Sequence, residues 1–229
     1  MSTPDIRGAR MALLDLDGTL MDTAPDIADC VDDALRAVGM PPRGEDKTRL
    51  WIGNGVQRLI KRAMTDDMDA EPDEALFEKA YGIFSELYSQ RLNVRSRLYP
   101  GVREGLAGLK ALGVRLGCVT NKLTSFTEPL LAQVGIAGEF ELILSGDSLP
   151  KKKPDPLPLQ HAARWFGVTP DESLMVGDSE NDVRAARAAG FQVVCVDYGY
   201  NHGNDIRESR PDAVIHSLAD LPALLELAA

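Results

Sequence analysis

The sequence predicts an α/β protein: a Rossmann-like parallel sheet with helices on both faces, and an all-helical domain inserted after the first strand. Three observations carry this. From Val102 onward, short apolar strands alternate with helices of about ten residues, the pattern of a parallel sheet covered on both sides. A strand of the same kind opens the chain in MALLDLDGTL (11–20). Between about 21 and 98 the periodicity is helical, no strand is expected, and Tyr99-Pro100-Gly101 closes the block. The expected division is a core of 1–20 and 99–229 and a helical domain of 21–98.

Each element has a local reason. Thr23 or Asp22 can cap a helix with Pro25 in its first turn. Ile27, Val31, Leu35 and Val38 follow at helical spacing, and Gly39 ends it. Met40-Pro41-Pro42 is a break. Next come a short stretch around Leu50, a helix from about Val56 to Met64, the acidic loop DDMDAEPDE, and an amphipathic helix from about Asp73 to Leu92. The core then reads helix 102–112, strand 114–120, helix 124–134, strand 141–145, a basic proline-rich loop, and helix 156–166. Strand 173–178, helix 180–189, strands 191–197 and 212–216, and a last helix, 218–228, complete it.

Composition narrows the function. The chain has 229 residues, 44% hydrophobic and 26% charged, which is enough for a real core. A net charge of −10 argues against nucleic acid or an anionic membrane as partner. An anionic substrate therefore needs local cations or a metal. Cys30, Cys118 and Cys195 form no C-x-x-C pair, and with three scattered histidines (His161, His202, His216) they make a zinc site unexpected. MSTPDIRGAR has no apolar stretch, and no run approaches the roughly 20 residues of a membrane span. The expectation is a cytoplasmic monomer or homodimer.

Open parallel sheets bind ligands beyond the carboxyl ends of their strands, and here several strands end in polar groups. The first ends in Asp15 and Asp17, one residue apart and so on one side of a strand. The next ends in Thr120-Asn121-Lys122 and a later one in Gly177-Asp178-Ser179, while Lys153 lies in the loop after 141–145. Asp178 and Asp182 are four apart at a helix start, hence on one face. Each has an ordinary alternative duty: Asp-Gly turn, buried strand Thr, solvated lysine run, helix-capping Asp.

DLDGT (15–19), Thr120, the lysine of KPDP (153–156) and GDSEND (177–182) together resemble the four motifs of the haloacid dehalogenase superfamily, in its order. The insertion stands where that superfamily places its helical cap. TAPDI (23–27), WIGNG (51–55), KPDPLPL and DYGYNHG (197–203) resemble the phosphoglycolate phosphatase branch. The resemblance implies a Mg²⁺-dependent phosphatase of a small phosphate ester, 2-phosphoglycolate first among candidates. It makes Asp15 the nucleophile that forms an aspartyl phosphate and Asp17 the general acid, then base. Thr120 and Lys153 hold the phosphoryl group, with Asn121 nearby. Asp15, Asp178 and the main-chain carbonyl of Asp17 ligate the metal, with Asp182 and Ser179 behind them.

In the insertion, Gly53-Asn54-Gly55 is either a flexible turn or a nest of N–H groups for a small carboxylate. Arg58 and Lys61, one turn apart, are either anion ligands or surface charges. Hinges are expected at 20–23 and 95–100. Other members of the superfamily (a pyrophosphatase, a sugar-phosphate phosphatase, a phosphomutase) are alternatives, and Thr19 speaks against a mutase. Asp17 speaks against a dehalogenase, and Lys61 and Lys79 sit in no convincing phosphonatase context. A non-enzymatic phosphate-binding module, such as a receiver domain, is the alternative of another class.

Overall fold

A computed structural model describes Ile6 and residues 8–226. The first strand, β1 (Met11–Leu14), is the centre of the molecule. Its neighbours are β4 (Arg115–Val119) and β6 (Ser173–Gly177), both parallel to it, with Leu13 opposite Gly117 and Met175. Outward lie β5 (Leu142–Leu144) beyond β4, then β7 (Gln192–Val196) and β8 (Ala213–Ile215) beyond β6. The sheet order is β5-β4-β1-β6-β7-β8, all parallel. The chain builds outward from β1 to β5 and then returns to build β6 to β8 on the other side. That reversal makes the carboxyl end of β1 the topological switch point, the usual place for a ligand.

Alternate residues of each strand face opposite layers. Met11 and Leu13 pack with Leu159, Phe166 and Ala186 under α7 (Leu157–Phe166) and α8 (Glu180–Ala189). Ala12 and Leu14 face the other way, with Leu106, Leu130 and Leu221 of α5 (Val102–Ala111), α6 (Thr124–Gln133) and α9 (Leu221–Glu226). Both faces are thus covered, as the uniformly apolar strands imply. The expected last helix splits into a 3₁₀ turn, Leu218–Asp220, and α9; its positions 227–228 lie outside the described residues.

The insertion holds α1 (Ala24–Ala37), α2 (Glu45–Trp51), α3 (Val56–Thr65) and α4 (Glu74–Gln90). The expectation of no strand over 21–98 is corrected: β2 (Met21–Asp22) and β3 (Arg97–Leu98) pair antiparallel where the chain leaves and re-enters the core. Two-residue strands carry no alternation, so pattern alone does not reveal them. The first strand, expected to end in Asp15 and Asp17, stops earlier, at Leu14, and both aspartates lie beyond it. Thr23 precedes α1 but makes no side-chain cap bond there; its hydroxyl donates to Asp17 instead, at 2.7 Å. Asp73 does cap α4, accepting from the Leu76 N–H.

Asp26, in the first turn of α1, fastens the return crossing. Its buried carboxylate accepts from the N–H groups of Val94, Arg95 and Ser96 and from the Ser96 hydroxyl, at 2.6–3.0 Å. Removing the acceptor strands these donors away from water. Asp26→Ala is therefore expected to lower the unfolding free energy by about 3 kcal/mol, measured by urea titration; a loss below about 1 kcal/mol contradicts the fastening role.

Candidate active site

Four separated segments meet at the carboxyl end of β1. Asp15 continues the ladder one step past the strand, its N–H donating to Val176 O at 2.9 Å. The Lys153 ammonium stands 3.1 Å from Asp15 Oδ1 and donates to Asp182 Oδ1 at 2.7 Å and to Val119 O at 2.6 Å. An ammonium has three donors, and these contacts engage all of them. The Lys153 side chain is 1% exposed. Burial works against its charge, but Asp15 and Asp182 outweigh that and push the ammonium above its usual range.

Asp182 works on both sides. Its Oδ2 accepts from the N–H groups of Asp178 and Ser179 and from Ser179 Oγ at 2.8–3.2 Å, closing the first turn of α8. Its Oδ1 holds Lys153. The helix-capping duty and the site duty are thus the same residue's two oxygens. Asp178 is fully enclosed: Thr19 Oγ1 donates to Oδ1 at 2.7 Å and the Tyr200 N–H to Oδ2 at 2.6 Å. Gly18 adopts φ +87°, and a Cβ there would collide with the Asp178 carboxylate. Only glycine permits so close an approach.

Asp15, Asp178 and Asp182 each offer a carboxylate oxygen, and the three lie within 4.8 Å of one another. Burial drives the Asp15 carboxyl up to about 7; Lys153 opposes this, while Asp182 and Asp17 add to it. Burial also raises Asp178 well above the carboxylate range, with Asp182 and Asp15 reinforcing it against the bonds from Thr19 and Tyr200. Three carboxylates facing one lysine leave an excess of negative charge. An all-oxygen set of this kind fits a hard divalent cation. Two of the expected ligands, Asp15 and Asp178, belong to this side-chain cluster, and Asp182, expected behind them, lies in it as well.

Asp17 faces the insertion. Thr23 Oγ1 donates to it at 2.7 Å, and Lys122 Nζ lies 3.1 and 3.2 Å from its two oxygens. Lys122 also donates to the Tyr88 hydroxyl of α4 at 2.7 Å. Asp15 and Asp17 nonetheless line one cavity of about 50 Å³, with Thr120 and Lys122 on the core side. Ile27, Ile52, Val56 and Phe84 wall its other side. The Thr120 hydroxyl accepts from the Lys122 N–H at 3.2 Å and, among the described residues, donates to none.

The remaining expected groups divide. Asn121 lines the cavity, but both its amide donors are engaged, by Gly53 O at 2.9 Å and Lys153 O at 2.8 Å. It joins insertion to core instead of offering a donor to a ligand. Gly53 and Gly55 line the cavity; Asn54 does not. The Asn54 Oδ1 accepts from Arg62 at 2.8 Å and its carbonyl from Lys152, which turns it into the frame. Arg58 and Lys61 pair with Glu71 at 2.8 and 2.5 Å, so they are surface charges.

Sequence reasoning assigns no role to Lys122, Tyr88 or Tyr200, although Lys122 stands among the polar strand ends and Tyr200 in DYGYNHG. Lys122 had a legible cue, a basic residue at a strand's carboxyl end. Tyr88 lies within the expected amphipathic helix, where nothing local marks it out from a core aromatic. The Tyr200 hydroxyl bonds Asp22 and accepts from the N–H groups of Thr23 and Ala24, so a core loop caps α1.

The family model for haloacid dehalogenase-like hydrolases matches residues 12–196. The phosphoglycolate phosphatase of Nitrosococcus oceani is 56% identical, covering 98% of this chain and 100% of that one. That of Thiobacillus denitrificans is 50% identical, over 92% and 93%. Among solved structures, a predicted phosphoglycolate phosphatase from Haemophilus somnus superposes with a TM-score of 0.88 at 38% identity, over 94% of this chain and 97% of that one. Among the described residues, no helix is long and apolar enough to cross a membrane.

Losing one partner of a buried ion pair leaves an uncompensated charge. Lys153→Met is expected to lower the unfolding free energy at neutral pH by about 3–5 kcal/mol, read by urea titration without added metal. A loss under about 1 kcal/mol shows that the two carboxylates do not depend on it.

Proposed function

The chain belongs to the haloacid dehalogenase-like hydrolases, and we propose that it hydrolyses 2-phosphoglycolate to glycolate and phosphate through an aspartyl phosphate on Asp15. One observation carries this reading: at the switch point of the sheet, Asp15 stands between a buried lysine and a small cavity that also holds a second carboxylate, Asp17.

The Asp15 carboxylate attacks phosphorus in line with the ester oxygen, forming the Asp15–phosphorus bond as the ester bond breaks. Asp17 gives its proton to the departing alkoxide, which leaves as the glycolate hydroxyl. Asp17 then takes a proton from water, the oxygen of that water attacks phosphorus, and Asp15 is released as carboxylate. The unengaged Thr120 hydroxyl proton is available to a phosphoryl oxygen, and the Lys153 ammonium offsets charge on the nucleophile and the transferring group. Asp15, Asp178 and the main-chain carbonyl of Asp17 would hold Mg²⁺, with Asp182 and Ser179 supporting them. When bound, the ion supplies the positive charge that lets an anionic nucleophile approach an anionic phosphate.

Residues 21–98 then act as a cap over a core of 1–20 and 99–229, hinged at 20–23 and 95–100 beside the β2–β3 ribbon. Closing it excludes bulk water while the phosphoryl group passes to Asp15. The substrate is taken from the names of the Nitrosococcus and Thiobacillus relatives.

Asp15→Asn is expected to keep the wild-type circular dichroism spectrum and to lose about 10⁴-fold or more in kcat on 2-phosphoglycolate and p-nitrophenyl phosphate. Retained turnover contradicts the nucleophile assignment. Hydrolysis by the wild type is expected to stop with EDTA and to return with excess Mg²⁺; EDTA-resistant turnover contradicts the metal requirement.

A further inference from the structure

We propose that Lys122 and Tyr88 together form the site that binds the substrate's carboxylate, and so set the preference for phosphate esters of small acids. The inference rests on the phosphatase reading above and assigns the second anionic group of its substrate a place.

The starting point is an inventory of cations. The chain carries a net charge of −10, so a doubly anionic ester meets an unfavourable overall field and depends on local positive charge. Lys153 has all three donors committed beside the nucleophile. Lys122 is the one cation lining the cavity among the described residues, and it is 7% exposed. With the phosphoryl group at Asp15, the rest of the ester occupies the cavity where Lys122 lies.

The Lys122 ammonium meets both oxygens of Asp17, at 3.1 and 3.2 Å, and the Tyr88 hydroxyl oxygen at 2.7 Å, and it carries the cavity's positive charge. Tyr88 is 1% exposed. Its hydroxyl accepts from Lys122 and, among the described residues, its own proton has no acceptor. A buried donor left unpaired is costly, and such groups are normally satisfied. A buried hydroxyl proton without an acceptor, set beside a buried ammonium, is suited to an anion with paired oxygens, which is what a carboxylate is. The apolar wall of Ile52, Val56 and Phe84 strengthens those bonds by keeping water out.

The two donors come from different parts of the chain. Tyr88 is on α4 of the cap, stacked on Phe84 with ring centroids 5.3 Å apart and set edge-on to Phe126 of α6 at 5.1 Å. Lys122 follows β4 of the core. The carboxylate therefore bridges cap and core, and a substrate without one engages neither the full site nor the closed cap.

The test compares 2-phosphoglycolate with ethyl phosphate, which has the same carbon count and no carboxylate, in the Mg²⁺-loaded enzyme. The readout is the ratio of the two kcat/KM values, because losing Lys122 also disturbs Asp17 and lowers both. Lys122→Met is expected to reduce that ratio about 100-fold. Tyr88→Phe, which removes one hydroxyl and keeps the ring, is expected to reduce it about 10-fold with the loss in KM for 2-phosphoglycolate. Matched circular dichroism spectra confirm that both variants fold. A wild type that prefers 2-phosphoglycolate, with the ratio unchanged in both variants, overturns this site and leaves the substrate reading intact. A wild type that hydrolyses ethyl phosphate or other monoesters as well as 2-phosphoglycolate overturns the substrate reading and the carboxylate site together.

Discussion

Burying the Lys153 ammonium obliges the protein to surround it with acceptors, and those acceptors come from three adjacent strands. Asp15 follows β1, Val119 closes β4, and Asp182 lies on the helix after β6. The sheet order that places β4 and β6 on either side of β1 is what makes this convergence possible. The lysine in turn holds Asp15 against two other buried carboxylates. Removing any partner leaves a charge in a place where water cannot reach it, so the arrangement is held more firmly than the net worth of a single pair would imply.

The negative charge at this site exceeds what folding alone would select. Asp178 is enclosed by Thr19, Gly18 and the Tyr200 N–H, and its environment favours the neutral acid. Such a local conflict is characteristic of functional sites, where stability is given up for chemistry. A divalent cation resolves it in the proposed mechanism. Tyr200 also connects this region to the hinge: its backbone binds Asp178 while its hydroxyl meets the first N–H groups of α1. Arg49 adds to that junction through Asp22, whose carboxyl is burdened by burial yet held below its usual range by Arg49 and Tyr200.

Much of the core was legible because its signals are local. Uniformly apolar strands, the paired aspartates after β1, the lysine before Pro154 and the two aspartates opening α8 each announce themselves within a few residues. What stayed hidden depends on contacts across the chain. Asp17 and Lys122 are 105 positions apart, and nothing in the neighbourhood of Tyr88 distinguishes a phenol facing a cavity from one filling a core. Asn121 reads as a near-site polar group because it follows a strand's carboxyl end; only the fold reveals that its amide is occupied by Gly53 and Lys153, and that the Asn54 side chain is held by Arg62 and Asn181. The β2–β3 ribbon is two residues long on each side and has no period to detect.

The claim on which the account rests is that Asp15 itself becomes esterified by the phosphoryl group. Borohydride reduces an acyl phosphate to the alcohol, converting an aspartate so trapped into homoserine. Quenching the enzyme with borohydride during turnover of 2-phosphoglycolate, followed by trypsin and fragmentation of peptide 11–36, reads the site directly. The account predicts homoserine at position 15, absent without substrate. Reduction at another aspartate, or none under conditions of measured turnover, contradicts it.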